Sequence, residues 1–136
     1  MSLIEWTEQM SIGISRFDEE HKYLISLMNT LFDGVSTGEG RQVLGTVLDG
    51  LVEYTKTHFL NEEILLKEYG YEGLDSHHAE HKELTRKVLD IQQRYHAGAT
   101  TMLSLEVMGF LKNWLVKHIQ TSDRRYGDFL RTRGMI

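Results

Sequence analysis

The most constraining feature of this sequence is that none of its 136 residues is proline. Proline interrupts helices, so a chain without it is free to form long, unbroken ones. Glycines divide the chain instead, and they cluster at three places: Gly34, Gly38 and Gly40; Gly70 and Gly73; and Gly98. These breaks leave an N-terminal arm and four segments of about 20 to 30 residues, each long enough for a helix of several turns.

Each of the four segments carries a mostly apolar stripe at helical spacing. In chain order the stripes are Leu24, Ile25, Met28, Leu31, Phe32 and Val35; Leu44, Val47, Leu48, Leu51, Thr55, Phe59, Leu65 and Leu66; Leu84, Val88, Ile91 and Tyr95; and Val107, Phe110, Leu111, Trp114 and Leu115. No segment alternates with a period of two for long enough to predict a strand. Short connections between long amphipathic helices therefore predict an all-α fold, an antiparallel up-down-up-down four-helix bundle.

The N-terminal residues do not follow this pattern, because Ile12, Ile14 and Phe17 have the spacing of an extended segment and Trp6 is a large apolar anchor. We expect residues 1–17 to form an extended arm that packs along the bundle. The residues expected to cap or open the first, third and fourth helices are Asp18, Asp75 or Ser76, and Thr100 or Thr101.

Length and composition exclude several classes of protein. The chain fits a single domain over residues 1–136, with the helical bundle at 18–132 ending in a short C-terminal helix. A net charge of −5 argues against a nucleic-acid-binding surface. No apolar run is long enough to insert in a membrane and the N-terminus lacks a signal-peptide pattern, so we expect a cytoplasmic protein. The absence of cysteine excludes thiolate ligands, which leaves nitrogen and oxygen to hold any metal.

Five of the seven histidines lie on the apolar stripes, and they are His21, His58, His77, His81 and His118. His58 and Glu62 are one helical turn apart, and so are His77 and His81. A single inward histidine is most often a hydrogen-bonded core residue. An inward carboxylate such as Glu62 is harder to explain, because burying it unpaired is costly and no Lys or Arg lies at matching depth on the stripes. A bound metal cation would remove that cost.

The depth of these residues in the bundle supports the same interpretation. Helices one and three begin where helices two and four end, so the five histidines and Glu62 all fall at one end of an antiparallel bundle. Asp123 follows His118 by five residues, about 140° away on an α-helix that turns about 100° per residue. It joins the cluster only if the helix ends or bulges at residues 119–122, where Thr and Ser compete for backbone hydrogen bonds.

Three further residues lie outside the proposed ligand set. His78 is one step around the helix from His77, and His96 lies in a last helical turn, so we expect both at the surface. Tyr126 follows Asp123 by three residues. It either donates a hydrogen bond to a ligand of the metal or seals the open end of the bundle, or else it faces solvent on a short terminal helix.

Taken together, these motifs resemble the hemerythrins, in particular the single-domain bacterial ones, over essentially the whole chain. The motifs are His21 after Phe17 and Asp18, HFLNE at 58–62, HHAEH at 77–81 and HIQTSD at 118–123. The resemblance implies a non-haem di-iron centre of two iron ions (Fe2+/Fe3+) with a bridging oxo or hydroxo group. Its ligands would be His77, His81 and His118 on one iron, His21 and His58 on the other, and Glu62 and Asp123 as bridging carboxylates.

The same resemblance implies reversible O2 binding, for oxygen transport, storage or delivery to an oxygen-consuming protein partner, without catalysis. Two octahedral irons offer about twelve coordination positions, and the implied ligands fill all but one, on the iron with two histidines. The residues that match the apolar O2 pocket of the family are Leu24, Phe59, Trp114, Leu115 and Ile119. We expect these side chains to exclude water and external acids from the bound O2.

Three alternatives remain open at this stage. A di-iron enzyme could act on peroxide or nitric oxide, although the sequence shows no inward Glu-x-x-His pair of the kind that ferritin-like di-iron proteins use. A sensor of oxygen or iron is a second alternative, but sensor hemerythrins are usually fused to signalling domains, which this sequence does not show. Zinc is the third, and its sites usually take about four ligands, fewer than the cluster offers.

Overall fold

The computed structural model describes residues 4–98 and 102–134. Its helices are α1 (Ser15–Ser36), α2 (Gly40–Glu68), α3 (Leu74–His96), α4 (Met102–His118) and α5 (Arg124–Thr132), with a 3-10 turn at Glu8–Met10 and a π-helical turn at Ile119–Asp123. Helix α1 packs against α2 and α4, and α2 packs against α3. No described residue lies in a strand. The predicted all-α four-helix bundle is therefore confirmed.

Glycine follows the end of three helices of the bundle, as the sequence predicts. Gly38, Gly70 and Gly98 follow α1, α2 and α3, and each has a positive φ, between 70° and 93°. This left-handed conformation reverses the chain after a helix, and glycine adopts it without the steric penalty that a side chain imposes. The breaks could be predicted from sequence because this requirement is local.

The starts of the helices differ from the predictions. Helix α1 begins at Ser15 rather than at residue 18, so the last three residues of the predicted arm are helical. Asp18 lies in the first turn and caps nothing; instead its carboxylate accepts from the Ile12 N–H at 2.9 Å and the Ser11 hydroxyl at 2.5 Å. These bonds fasten the arm to the helix. Of the two roles expected for Asp18, the first-turn acid is the correct one.

Helix α3 likewise begins without the predicted cap. It starts at Leu74 directly after Gly73, and no side chain caps it, so Asp75 lies in the first turn and the capping role predicted for Asp75 or Ser76 is wrong. The predicted caps of α4, Thr100 and Thr101, lie outside the described residues.

The core has two parts. The larger cluster runs along the bundle and includes Leu24, Met28, Leu48, Leu84 and Leu111 from the predicted stripes. The smaller cluster closes one end and consists of Ile12, Ile14, Phe17, Leu66, Tyr126 and Leu130. Arm, α1, α2 and α5 thus meet in one apolar plug. Among the described helices, none combines the length and hydropathy that a membrane-spanning segment needs.

Helix α4 continues into α5 through the π-helical turn Ile119–Asp123. A π turn accommodates one residue more than an α turn does, and this rotates the residues that follow it relative to those before it. Both His118 and Asp123 are consequently buried, five residues apart, with Nε2 of His118 2.9 Å from Oδ1 of Asp123. The bulge predicted between them is confirmed.

Candidate metal centre

Seven buried residues meet at one end of the bundle. Five of them are histidines and two are carboxylates. Each is no more than 4% exposed, and they are His21, His58, Glu62, His77, His81, His118 and Asp123. They come from α1, α2, α3, α4 and the π turn. The structure therefore brings together all the residues that the sequence and the resemblance proposed as metal ligands.

The two oxygens of Glu62 face different histidines. Oε2 lies 2.9 Å from Nε2 of His58 and 3.5 Å from Nε2 of His21. Oε1 lies 3.2 Å from Nε2 of His77 and 3.2 Å from Nε2 of His81. One carboxylate therefore separates these four imidazoles into two pairs, with one oxygen for each pair.

Asp123 makes the same division. Its Oδ2 lies 3.0 Å from Nε2 of His21, whereas Oδ1 lies 3.1 Å from Nε2 of His77 and 2.9 Å from Nε2 of His118. We call His21 and His58 the two-histidine half and His77, His81 and His118 the three-histidine half. Both carboxylates place one oxygen toward each half, the arrangement that a pair of bridged metal ions requires.

Several polar atoms in this cluster are buried without a hydrogen bond. They are both ring nitrogens of His21, Nε2 of His81, Nε2 of His118 and Oδ1 of Asp123. Leaving polar atoms unpaired in the core costs free energy. Metal ions bonded to the inward nitrogens and oxygens would satisfy all of these atoms but one, Nδ1 of His21. The residues present therefore fit a metal centre, and imidazole with carboxylate is a ligand set suited to iron.

The electrostatics of the cluster point the same way. Burial would raise the pKa of Glu62, but His58 and the other neighbouring imidazoles outweigh it and hold the pKa well below its usual value. Burial would lower the pKa of His58 and His118, yet the carboxylates that face them raise both to about 10. The carboxylates thus attract positive charge strongly, and protons or metal ions can supply it.

Three glutamates that the sequence reasoning missed hold the outer nitrogens of the histidines. Nδ1–H of His58 donates to Glu20 at 2.5 Å. Nδ1–H of His81 donates to Glu63 at 2.9 Å, and Nδ1–H of His118 donates to Glu80 at 3.0 Å. These bonds fix the tautomer that leaves Nε2 free to bind a metal, and they orient the ring.

Two of these glutamates accept further hydrogen bonds. The Ser122 hydroxyl of the π turn donates to Glu80 at 2.8 Å, and the hydrogen bonds from His118 and Ser122 lower the pKa of Glu80 to about 2 despite partial burial. Glu63 also accepts from the ring of His78. A sequence signal did exist, since each glutamate directly precedes or follows a proposed ligand in the chain.

Tyr126 takes both of the buried roles predicted for it. It is fully buried, and its hydroxyl donates to Oε2 of Glu62 at 2.5 Å. Its ring packs edge-on against Phe17 and His77, with centroids 5.7 and 5.2 Å apart. Tyr126 therefore orients a central carboxylate and also seals the end of the bundle.

Apolar side chains surround the imidazoles on the side of the main core. The Phe59 ring stacks on His81 with centroids 3.7 Å apart, and Trp114 stacks on His118 at 4.4 Å. Leu24, Leu115 and Ile119 are buried in the same apolar cluster as Phe59. His78 and His96 are exposed, as the sequence predicted.

Comparison with known proteins agrees with this geometry. Residues 12–130 match the family described as the hemerythrin HHE cation binding domain. Bacteriohemerythrin of Methylococcus capsulatus is 34% identical over 131 residues, which cover 96% of this chain and 98% of that one. Bacteriohemerythrin of Stenotrophomonas maltophilia is also 34% identical, over 94% of this chain and 82% of its own.

A solved structure gives the same result. The crystal structure of a wild-type hemerythrin superposes with a TM-score of 0.84 at 33% identity, covering 93% of this chain and 97% of that chain. Sequence and structure agree over nearly the full length of this chain. The chain belongs to the hemerythrin family, whose members bind O2 at a non-haem di-iron centre.

Proposed function

We propose that the seven clustered side chains hold the two irons in the division that the carboxylate oxygens make. The three-histidine half would bind one iron through His77, His81 and His118, and the two-histidine half would bind the other through His21 and His58. Glu62 and Asp123 would bridge them. The observation that supports this assignment best is that both carboxylates, from different elements, separate the histidines into the same two groups.

We further propose that the chain carries O2 reversibly rather than consuming it. When bound, the iron pair supplies a redox-active site with an open position for O2. The protein supplies the enclosure, for which we propose Leu24, Phe59, Trp114, Leu115 and Ile119, four of them buried and Trp114 half-buried. Apolar side chains exclude water and external acids from the centre. Few protons are then available there to make the reduction of O2 irreversible.

The surrounding polar groups fit this role. The outer nitrogens of His58, His81 and His118 donate to glutamates and the Tyr126 hydroxyl donates to Glu62, so these protons are already engaged in hydrogen bonds. The proposal is therefore an oxygen carrier or store that releases its O2 to an oxygen-consuming protein.

The optical spectrum of the reduced, iron-loaded protein tests the carrier role. We expect a charge-transfer band that appears in air, disappears on deoxygenation and returns over repeated cycles. Irreversible bleaching, or sustained turnover of peroxide or nitric oxide without loss of iron, would instead indicate an enzyme.

Iron content tests the ligand assignment separately. His118→Ala removes a proposed ligand and should reduce the iron content below two atoms per chain. His96→Ala, a change at an exposed histidine of α3, should retain the wild-type iron content. Equal iron in both variants would contradict the assignment while leaving the family unchanged.

A further inference from the structure

A surface groove runs along the seam between α2 and α3, on the outside of the bundle. Its volume is about 680 Å³, within the range of about 300 to 1,000 Å³ that is usual for small-molecule sites. Its apolar lining includes Phe59, Leu60 and Leu89. Leu60 and Leu89 are 58% and 43% exposed, so large apolar side chains here face solvent rather than the core.

The groove also presents uncommitted positive charge. Lys56, Lys82 and Arg86 line it and are exposed, and none has an ion pair or hydrogen bond within the part of the chain that the structure describes. The two carboxylates of the lining are already engaged. Glu63 accepts from His78 and His81, and Asp90 lies 3.8 Å from a guanidinium nitrogen of Arg94.

Charge of this sign is notable in a chain whose net charge is −5. These three cations have no partner among the described residues, and they lie beside an exposed apolar lining. A ligand for this site therefore needs an apolar body to cover the leucines and the phenyl ring, and an anionic group to meet the cations. A neutral apolar molecule would meet only the first requirement, and an inorganic anion only the second.

We propose that this groove binds a single-chain carboxylate amphiphile, a fatty acid. Its alkyl chain would lie over Phe59, Leu60 and Leu89, and its carboxylate would face Lys56, Lys82 and Arg86. The size of the groove favours a small molecule over a protein. Thirteen residues line it, fewer than the roughly 20 to 30 that each side of a stable protein interface contributes.

The groove also adjoins the metal centre. Phe59, which forms part of its lining, stacks on His81 with centroids 3.7 Å apart, and His81 and Glu63 themselves line the groove. An alkyl chain on the outer side of Phe59 would therefore touch a ring that holds a histidine of the three-histidine half. The binding proposal does not depend on which residues ligate iron, and it can succeed or fail independently of O2 carriage.

Calorimetric titration of the iron-loaded protein with decanoate, below its micelle concentration, tests the proposal. We expect saturable binding of one decanoate per chain. Decyltrimethylammonium, which has the same chain and the opposite charge, and acetate, which has the carboxylate without the chain, should bind at least about tenfold more weakly. Equal binding of the cationic amphiphile would overturn the proposal, because it would show that the cations do not select the ligand.

Variants locate the site. The double variant Lys82→Glu with Arg86→Glu, and separately Leu89→Glu, should each weaken decanoate binding by about five- to tenfold or more. The matched controls are Lys112→Glu and Leu105→Glu, which alter an exposed lysine and an exposed leucine of α4, away from the groove. Unchanged affinity in the groove variants, or an equal loss in the controls, would overturn the proposal.

A second readout does not depend on affinity. A photoactivatable diazirine fatty acid should cross-link to peptides of α2 and α3, and excess decanoate should compete with it. Cross-links confined to other helices would contradict the assignment. Preferential competition by an acidic helical peptide instead of decanoate would also contradict it, by indicating a protein partner for this surface.

Discussion

The two halves of the metal centre differ in the hydrogen bonds and ring contacts that hold their histidines. In the three-histidine half, His81 and His118 each donate an outer nitrogen proton to a glutamate and stack on an aromatic ring. In the two-histidine half, His58 has both kinds of support, from Glu20 and from the Tyr54 ring, with centroids 5.3 Å apart. His21 differs, since its outer nitrogen Nδ1 is buried without a hydrogen bond.

This difference predicts which histidine rings can reorient. A ring held by a hydrogen bond and a stacked neighbour keeps one orientation, whereas a ring held by packing alone can turn more easily. The open coordination position that the family resemblance implies would belong to the iron held by the two-histidine half. We therefore expect the better-supported half to keep its iron and the other half to exchange ligands.

Removal of a carboxylate shared by both halves should have the largest effect. Glu62→Ala deletes an oxygen donor from each half and leaves buried imidazoles without a partner, so we expect loss of both irons. His58→Ala touches only the two-histidine half and should retain about one iron per chain. Iron analysis by mass spectrometry distinguishes these results.

The control for that experiment is Glu68→Ala, at an exposed glutamate of α2, which should keep both irons. If Glu62→Ala also kept both irons, this would contradict the proposal that the carboxylate is shared by the two halves.

Loss of an outer glutamate should have the next largest effect. Such partners typically contribute about 10- to 100-fold to metal affinity. We expect Glu20→Gln to accelerate iron loss more than Glu80→Gln does, because His21 gives the two-histidine half no second outer bond. Release of iron to a chelator, followed optically, measures both rates. Equal rates would mean that the lack of a partner on His21 has no functional consequence.

Tyr126→Phe should have a smaller effect. It removes a buried hydroxyl that donates to Oε2 of Glu62, the oxygen facing the two-histidine half. A hydrogen bond to a charged group contributes about 1.5 to 3 kcal/mol to stability, so the free energy of unfolding should fall by about that amount. Chemical denaturation measures the change.

Tyr95→Phe is the matched control for this tyrosine. Its hydroxyl donates to the backbone oxygen of Arg41 at 3.2 Å, at the surface, and its loss should cost less. If Tyr126→Phe cost no more than Tyr95→Phe, the buried hydroxyl would add little to stability and Tyr126 would act mainly by packing.

The pH dependence of the metal-free protein should show the smallest and most gradual effect. The carboxylates raise the pKa of His77 to about 9 against the opposing effect of burial, and that of His58 and His118 to about 10. Groups with raised pKa stabilise the fold fully below their unfolded pKa of about 6.5, and this contribution disappears as pH rises through the folded values. We expect the Tm of metal-free protein to fall between pH 7 and 10.

The iron-loaded protein supplies the comparison. Its imidazoles would be neutral ligands, so its Tm should change much less over the same interval, and iron loading at neutral pH should release protons. The pKa is raised for two histidines of each half, His21 and His58 in one and His77 and His118 in the other, so loading either half should release protons. A flat Tm for the metal-free protein would contradict this account of the cluster.

Most of the fold could be predicted because its determinants are local. The glycines after α1, α2 and α3 end helices through their own backbone conformation, and the apolar stripes need only helical periodicity. The helix starts were harder to predict, because no side chain caps them: α1 begins after Ile14 and α3 begins after Gly73. Packing of the arm and the loops sets those positions, and local sequence does not encode it.

The site also contains residues that local spacing predicts and residues that it does not. The inward histidines follow from spacing along each helix, and the five-residue separation of His118 and Asp123 predicts that the helix ends or bulges there, which the structure resolves as a π turn. The glutamates that hold the outer nitrogens do not follow from spacing. Glu80 of α3 accepts from a histidine of α4, and Glu20 of α1 accepts from one of α2. These pairs depend on the register between helices, which no single segment of sequence determines.

The close approach of α5 to the N-terminal arm has a consequence for gas exchange. A side chain on Gly127 would place its Cβ 2.5 Å from the carbonyl oxygen of Ile12, so main chain rests directly on main chain there. Main-chain atoms cannot rotate aside as a side chain can, so we expect this floor of the bundle, where α5 meets the arm, to stay closed to solvent. We expect dissolved oxygen to reach the irons sideways, between helices, and a bulkier residue at this glycine to loosen the floor and admit water.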